Sequence, residues 1–221
     1  MAPLSILHRD EHLIVVDKPA GVLSVPAARG EVSLLELLEQ QGIRALPVHR
    51  LDREVSGVIV LALEESVRAA LEALFRRRAV HKTYWALASG WLEPPQGQLH
   101  FPILEEPGGA RVSARGKPAR TLYLTLERHP RTSELELELL TGRKNQLRVH
   151  LAHAGHPLVG ERKYARGRDS AERLRSRRVA LHAWRIGCAH PVSGRELALE
   201  APLPPDLLEL RERAQAAARR R

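Results

Sequence analysis

Leu122-Tyr123-Leu124-Thr125-Leu126 and Leu135-Glu136-Leu137-Glu138-Leu139 decide the fold class. Leucine takes every second position in both, the period at which strand side chains alternate between faces. One leucine face and one polar face describe antiparallel strands solvated on one side. The leucine face is therefore expected to be the buried one. Residues 128–132 between them form a loop of hairpin length.

Upstream, Gly57-Val58-Ile59-Val60-Leu61-Ala62-Leu63 is a continuous apolar run, the mark of a strand buried on both faces. Residues 13–17, LIVVD, predict a shorter strand, stopped by the turn signal Lys18-Pro19-Ala20-Gly21. Ser33-Leu34-Leu35-Glu36 reads as a capping box opening a helix to about Gln41, closed by Gly42. Val67, Ala70, Leu71 and Leu74 recur at helical spacing between Glu64 and Arg78. That helix ends in Arg76-Arg77-Arg78, which suits the negative end of a helix dipole; contact with RNA is the alternative use.

Lys82 to Ser89 predicts another strand. Residues 91–118 hold five of the fifteen prolines and predict loop with short strands. Lys144 to Ala154 predicts a helix with Leu147, Leu151 and Ala154 on one face. Arg166–Arg178 is a basic stretch, Arg178–Cys188 and Glu196–Glu200 are strands, and Asp206–Arg219 is a closing helix with the tail Arg219-Arg220-Arg221. Strands outnumber helices in irregular order. The expectation is a mixed α/β (α+β) fold around a largely antiparallel sheet, one domain over residues 1–221.

Hydrophobic residues make up 43% of the 221 positions, enough for a core, but aromatics are only 4%, so Leu, Val and Ala must fill it. No run approaches the ~18 apolar residues of a membrane span. Charges and proline interrupt the first twenty residues before any signal-peptide core. Cys188 is the only cysteine, which excludes an intramolecular disulfide, a cysteine zinc cluster and an iron–sulfur site, and points to the cytoplasm. Thirty-five Lys+Arg against 26 Asp+Glu give a net charge of +9, mostly from arginine. Guanidinium suits phosphate and stacks on bases, so nucleic acid ranks ahead of a membrane or a small acid. A solubilising surface is the alternative.

Two stretches carry candidate chemistry. Asp52 lies in Val48-His49-Arg50-Leu51-Asp52-Arg53-Glu54-Val55-Ser56-Gly57, directly before the buried strand. A carboxylate between Arg50 and Arg53 stays ionised and can act as nucleophile or base. From spacing alone, a structural ion pair between Asp52 and a neighbouring arginine is the stronger reading. The second stretch is Thr141-Gly142-Arg143-Lys144-Asn145-Gln146-Leu147-Arg148-Val149-His150. Backbone N–H groups at a helix start, with Arg143 and Lys144, make an anion-binding corner. Arg148, one turn in, could reach a buried partner; the alternative is a solvated basic helix. His150, His153 and His156 drift around a helix broken at Gly155-His156-Pro157, and no carboxylate completes a metal set, so core or hydrogen-bonding histidines are expected. No phosphate-loop pattern occurs.

The chain resembles the RluA-type family of RNA pseudouridine synthases over nearly its whole length. The nucleophile motif of that family, H-R-L-D followed by two residues and T-S-G, stands here as His49-Arg50-Leu51-Asp52-Arg53-Glu54-Val55-Ser56-Gly57. Val16-Asp17-Lys18-Pro19-Ala20-Gly21 resembles the first strand and turn, and Lys82-Thr83-Tyr84 the K-x-Y motif. Thr141–His150 matches T-G-R-[TS]-H-Q-[IL]-R-[VL]-H, and Gly155–Gly160 and Leu181-His182-Ala183 follow in family order. Val55 replaces threonine, Lys144-Asn145 replace a small hydroxyl residue and histidine, and Glu161 replaces aspartate.

The resemblance implies an isomerase that converts uridine in ribosomal or transfer RNA to pseudouridine. Asp52 would be the catalytic carboxylate, adding to the base at C6, attacking ribose C1′, or abstracting a ribose proton. In each version uracil detaches at N1, turns and rejoins through C5. Arg148 would pair with Asp52, and Tyr84 would stack on the base and serve as a general base. Arg50 would hold the flipped state; Arg143 and Lys144 would contact phosphate, with Arg53 and Lys82 also on the RNA side. No metal or organic cofactor is implied, and the small one-domain branch suggests a monomer. The competing reading is a catalytically silent module that binds or folds RNA.

Overall fold

The computed structural model describes residues 4–27, 30–165 and 174–217. In chain order its elements are β1 (Ser5–Arg9), β2 (Leu13–Lys18), α1 (Leu34–Gln40), β3 (Leu46–Pro47), β4 (Ser56–Ala62), α2 (Glu65–Arg76), β5 (His81–Ser89), β6 (Gln96–His100), β7 (Ile103–Glu106), β8 (Gly109–Val112), β9 (Arg120–Arg128), β10 (Thr132–Leu139), α3 (Gln146–His153), β11 (Leu181–Ala189), β12 (Glu196–Glu200) and α4 (Pro205–Ala216). This is the expected mixed, mostly antiparallel fold with flanking helices. The chain divides into two compact units, residues 1–82 with 182–202, and residues 83–181 with 203–221. Most of the basic stretch 166–178 and the arginine tail 219–221 lie outside the described residues.

In the first unit, every residue of β4 is buried, as its unbroken apolar run requires. It pairs antiparallel with β2 from Leu13↔Ala62 to Lys18↔Gly57, and parallel with β11 at His182↔Ser56 and Ala183↔Gly57. β1 extends β2, and β12 extends β11, both antiparallel. Leu13 and Val15 of β2, Val58 and Val60 of β4, and Val67 and Leu71 of α2 share one core. Truncating such a fully buried leucine to alanine costs about 2–5 kcal/mol. α1 begins at the predicted capping box: the Ser33 hydroxyl accepts from the Glu36 N–H, and the Glu36 carboxylate accepts from the Ser33 N–H.

In the second unit, β10 pairs antiparallel with β5 and with β9, and β6 pairs with β9. β10 meets the expectation from its pattern, with Leu135 and Leu137 fully buried. β9 inverts it. Tyr123 lies opposite Leu137, so Tyr123 and Thr121 face the core, while Leu122 and Leu124 lie opposite Glu138 and Glu136. Leu124 and Leu126 are each 42% exposed. The inward residues are tolerated because they are satisfied: Thr121 Oγ1 is 3.0 Å from the Gln146 amide, and the Tyr123 hydroxyl donates to the Pro94 carbonyl.

α3 also differs from expectation. It starts two residues later than read, because Asn145 is left-handed at φ 54°. It has no solvated face over most of its length: Gln146, Leu147, Arg148, Val149, His150 and Leu151 are all buried. Its polar side chains are inside because they have partners, which a periodicity reading does not register.

Candidate active site

In the first unit, the half-buried Asp52 sits on the turn that feeds β4. The turn is closed by Val55 N–H donating to the Asp52 carbonyl at 3.0 Å. The segment 18–24 grips it from outside. The Ser24 hydroxyl donates to the Leu51 carbonyl at 2.9 Å and accepts from the Leu51 N–H at 3.0 Å. Gly21 N–H donates to the Arg53 carbonyl, and the Arg53 guanidinium returns to the Gly21 carbonyl. Lys18, fully buried, donates to the carbonyls of Pro19, Val22 and Arg53 at 2.9, 2.8 and 3.5 Å. A buried ammonium is stable only with such acceptors. The residues on both sides of Asp52 are thus held by backbone bonds, leaving little play in the carboxylate's mount.

The strand after the turn is pinned as well. His182 Nε2 donates to the Ala201 carbonyl at 3.1 Å, so its Nδ1 accepts from the Ser56 hydroxyl at 2.9 Å. Next to it, Gly57 has φ +114°, and a Cβ there would lie 2.1 Å from the Ala183 carbonyl oxygen. Ser56-Gly57 at the start of β4 and His182-Ala183 on β11 are two halves of one clasp.

Before the turn, His49 Nε2 accepts from the Val60 N–H at 3.0 Å, and its ring packs on Phe75 with centroids 4.8 Å apart. Burial, and secondarily the charge of Lys82, push the His49 pKa down to about 3. Lys82 is half-buried with its ammonium 5.3 Å from the Phe75 ring centre, and burial lowers its pKa. Arg50 is exposed, and Arg53 is exposed with an ion pair to Glu31.

In the second unit, Tyr84 is buried on β5 opposite Leu137. Arg148 is buried on α3 and forms a two-bond fork with Glu161, Nε to Oε2 at 2.7 Å and Nη2 to Oε1 at 2.9 Å. Glu161 Oε1 also accepts from the backbone N–H groups of Lys163 and Tyr164. The glutamate that departs from the family pattern is therefore the anchor of this arginine. The fork uses the Nε and Nη2 edge of the guanidinium.

The corner before α3 differs from the anion-binding corner read from sequence. Arg143 N–H donates to Gln146 Oε1 and Lys144 N–H to Glu105 Oε1. The Arg143 and Lys144 side chains donate to the carbonyls of Pro118 and Glu106. Groups of the chain itself thus hold these amides. Gln146 further bonds Thr141, the Arg120 carbonyl and Thr121, and Thr121 meets His150 Nδ1 at 3.1 Å. His150 Nε2 reaches the Phe101 carbonyl, His156 Nδ1 reaches the Ser89 carbonyl, and His153 packs edge-on against Phe101. His150 and His156 are thus hydrogen-bonding residues, as expected, whereas His153 is exposed and rests on the same Phe101 that His150 bonds.

The RNA pseudouridylate synthase family model matches residues 12–153, a span that holds Asp52, Tyr84 and Arg148. The chain belongs to that family. It is 37% identical over 207 residues to the dual-specificity RNA pseudouridine synthase RluA of Pasteurella multocida, covering 90% of this chain and 93% of that protein. It is 39% identical over 222 residues to the ribosomal large subunit pseudouridine synthase D of Nitrosomonas europaea, covering 94% of this chain and 64% of that protein. Among solved structures it resembles human RNA pseudouridylate synthase domain containing 4, with a TM-score of 0.80, 28% identity, and coverage of 95% of this chain and 92% of that one. The RluA-type assignment made from the motifs therefore stands.

Within this synthase family frame, the motif residues separate by task. Lys18, Ser24, Ser56, Gly57 and His182 hold the Asp52 turn, and Thr141, Gln146, His150 and Glu161 hold α3 and Arg148. Sequence reasoning named the outward chemistry and missed most of these supports. Their signal was present as motif letters, but a lysine before Pro-Ala-Gly reads as a turn, and a glutamate thirteen residues from its arginine follows no helical spacing.

Proposed function

We propose that this chain isomerises uridine in RNA to pseudouridine with Asp52 as the catalytic carboxylate, acting on ribosomal or transfer RNA. The observation that carries the reading is the mount of Asp52: a half-buried carboxylate on a turn clamped by Lys18, Ser24 and Gly21 at the head of a fully buried strand. Such preorganisation serves a group that must meet a reacting carbon at fixed geometry. The relatives' names support the substrate class, one being dual-specificity and another acting on the ribosomal large subunit.

In this reaction the N1–C1′ bond breaks and a C5–C1′ bond forms. The proton on C5 leaves to a base and N1 gains one, so atoms balance without oxidant or reductant. The family assigns Tyr84 to stack on the extruded base and take part in proton transfer, and Arg148 to keep the carboxylate ionised where water is excluded.

The test maps pseudouridine at nucleotide resolution in RNA from cells lacking the chain, and after restoring either the wild type or Asp52→Asn. Sites that vanish, return with the wild type and stay absent with Asp52→Asn establish the activity. An unchanged map, or full return with Asp52→Asn, overturns it. RNA binding without any pseudouridine identifies the silent module instead.

A further inference from the structure

Among the described residues, three helices end in the same backbone device. The first residue past the cap donates its N–H three residues back, and the next donates five residues back. At α1 these are Gly42 to Glu39 at 2.9 Å and Ile43 to Leu38 at 2.9 Å; at α3, Gly155 to Ala152 at 3.2 Å and His156 to Leu151 at 2.8 Å. At α2 they are Arg78 to Phe75 at 3.1 Å and Ala79 to Leu74 at 3.0 Å. The device needs a left-handed residue. Gly42 has φ 73°, Gly155 φ 86° and Arg78 φ 58°. Glycine adopts that conformation without penalty and arginine does not. The same chain thus uses glycine twice and, at α2, a strained arginine.

Strain that a glycine would remove points to a use for the side chain. Arg76, Arg77 and Arg78 are consecutive and exposed. None takes part in an ion pair among the described residues. The acids nearest on their own helix are occupied, since Glu65 and Glu72 pair with Arg68. The knuckle is also tied to the candidate site within the first unit. Phe75, directly before it, packs on the His49 ring and under the Lys82 ammonium. His49 lies three residues before Asp52 and next to the exposed Arg50.

We propose that Arg76-Arg77-Arg78 is a landing for the RNA phosphate backbone beside the Asp52 turn, and that Arg78 occupies the left-handed position for its charge. This rests on the reading that RNA is the substrate. A run of unpaired guanidiniums complements a polyanion, and each phosphate neutralised releases counterions.

Arg78→Gly separates the roles, because it relieves strain and removes charge together. Its Tm should rise by a few degrees while its affinity for a transcribed structured RNA falls roughly three- to tenfold. The slope of log K against log salt should drop by about one, and kcat/KM should fall in step with affinity. Arg78→Lys should keep wild-type affinity and slope, and Arg78→Ala should lose both without the gain in Tm. Wild-type RNA affinity and slope in Arg78→Gly overturn the inference. Failure of the function reading is a separate result: wild-type protein that makes no pseudouridine refutes the activity, while the salt slope still reports the phosphate contact.

Discussion

Arg148 and Glu161 face each other through two parallel hydrogen bonds of 2.7 and 2.9 Å, with their side chains 7% and 0% exposed. Removing one partner of such a pair leaves a buried charge uncompensated, which typically costs about 3–5 kcal/mol. Glu161→Gln keeps the shape and removes the charge, so denaturant unfolding should show a loss of roughly 3 kcal/mol or more. Glu161→Asp, the residue usual in the family, keeps the charge and should cost roughly 1 kcal/mol. A Glu161→Gln variant as stable as Glu161→Asp would mean the fork contributes shape and no charge balance.

Ser24 is the second support open to a clean test. Its hydroxyl both donates to and accepts from the backbone of Leu51, next to Asp52. Ser24→Ala deletes both bonds at a buried site, with an expected loss of about 1–3 kcal/mol. The looser turn should lower the single-turnover rate of pseudouridine formation and leave RNA affinity within about twofold of wild type, since no RNA-facing group is removed. Equal losses in rate and affinity would assign Ser24 to RNA binding instead.

How much of this was legible in the sequence differs by element. β4 was legible because a short apolar run rich in β-branched residues favours a buried strand over a helix, and α1 because its capping box is local chemistry. The Leu122–Leu126 stripe told the period correctly and the face wrongly. Alternation carries no label for inside, and the choice was made by the pairing of Tyr123 with Leu137 and by the hydrogen bonds of Thr121. Asp52 and Arg148 were legible as motif letters. Their supports, Lys18 at a distance of 35 residues from Arg53 and His182 at 126 from Ser56, were not, because a contact that far along the chain leaves no periodic trace.

Gly57 gives the sharpest steric prediction. Its φ is +114° and its missing Cβ would fall 2.1 Å from the Ala183 carbonyl oxygen, which is backbone and cannot swing away. Gly57→Ala should lose more than about 4 kcal/mol or fail to accumulate as folded protein. Gly42→Ala is the control: φ +73° and open space around the added carbon. It should cost only about 1–2 kcal/mol, the price of the left-handed backbone alone. Equal effects from the two would show that strand contact at Gly57 yields more easily than its geometry implies.

His49 makes stability depend on pH with a sign that can be worked out. Its Nε2 accepts from the Val60 N–H, which a protonated ring cannot do, and burial with the nearby Lys82 charge pushes its pKa from 6.5 down to about 3. In the unfolded chain the ring protonates near its ordinary value. Between pH 6.5 and about 3 the unfolded state therefore holds up to one proton more than the folded state. Stability from this group is full above pH 6.5 and is lost progressively as pH falls toward 3. The slope approaches about 1.4 kcal/mol per pH unit, so lowering the pH from about 7 to about 5 should cost roughly 2 kcal/mol. His49→Gln lacks this titration, although it starts from a lower stability because the ring contact with Phe75 is gone. The comparison is thus between slopes: denaturant unfolding at both pH values should show wild type losing roughly 2 kcal/mol more than His49→Gln. Acidic groups with lowered pKa values, Asp10 and Glu134 among them, titrate in both proteins and cancel in the difference. Parallel pH dependences in the two proteins would mean that the folded ring takes up its proton as readily as the unfolded one, and would remove His49 as a neutral brace of the Asp52 turn.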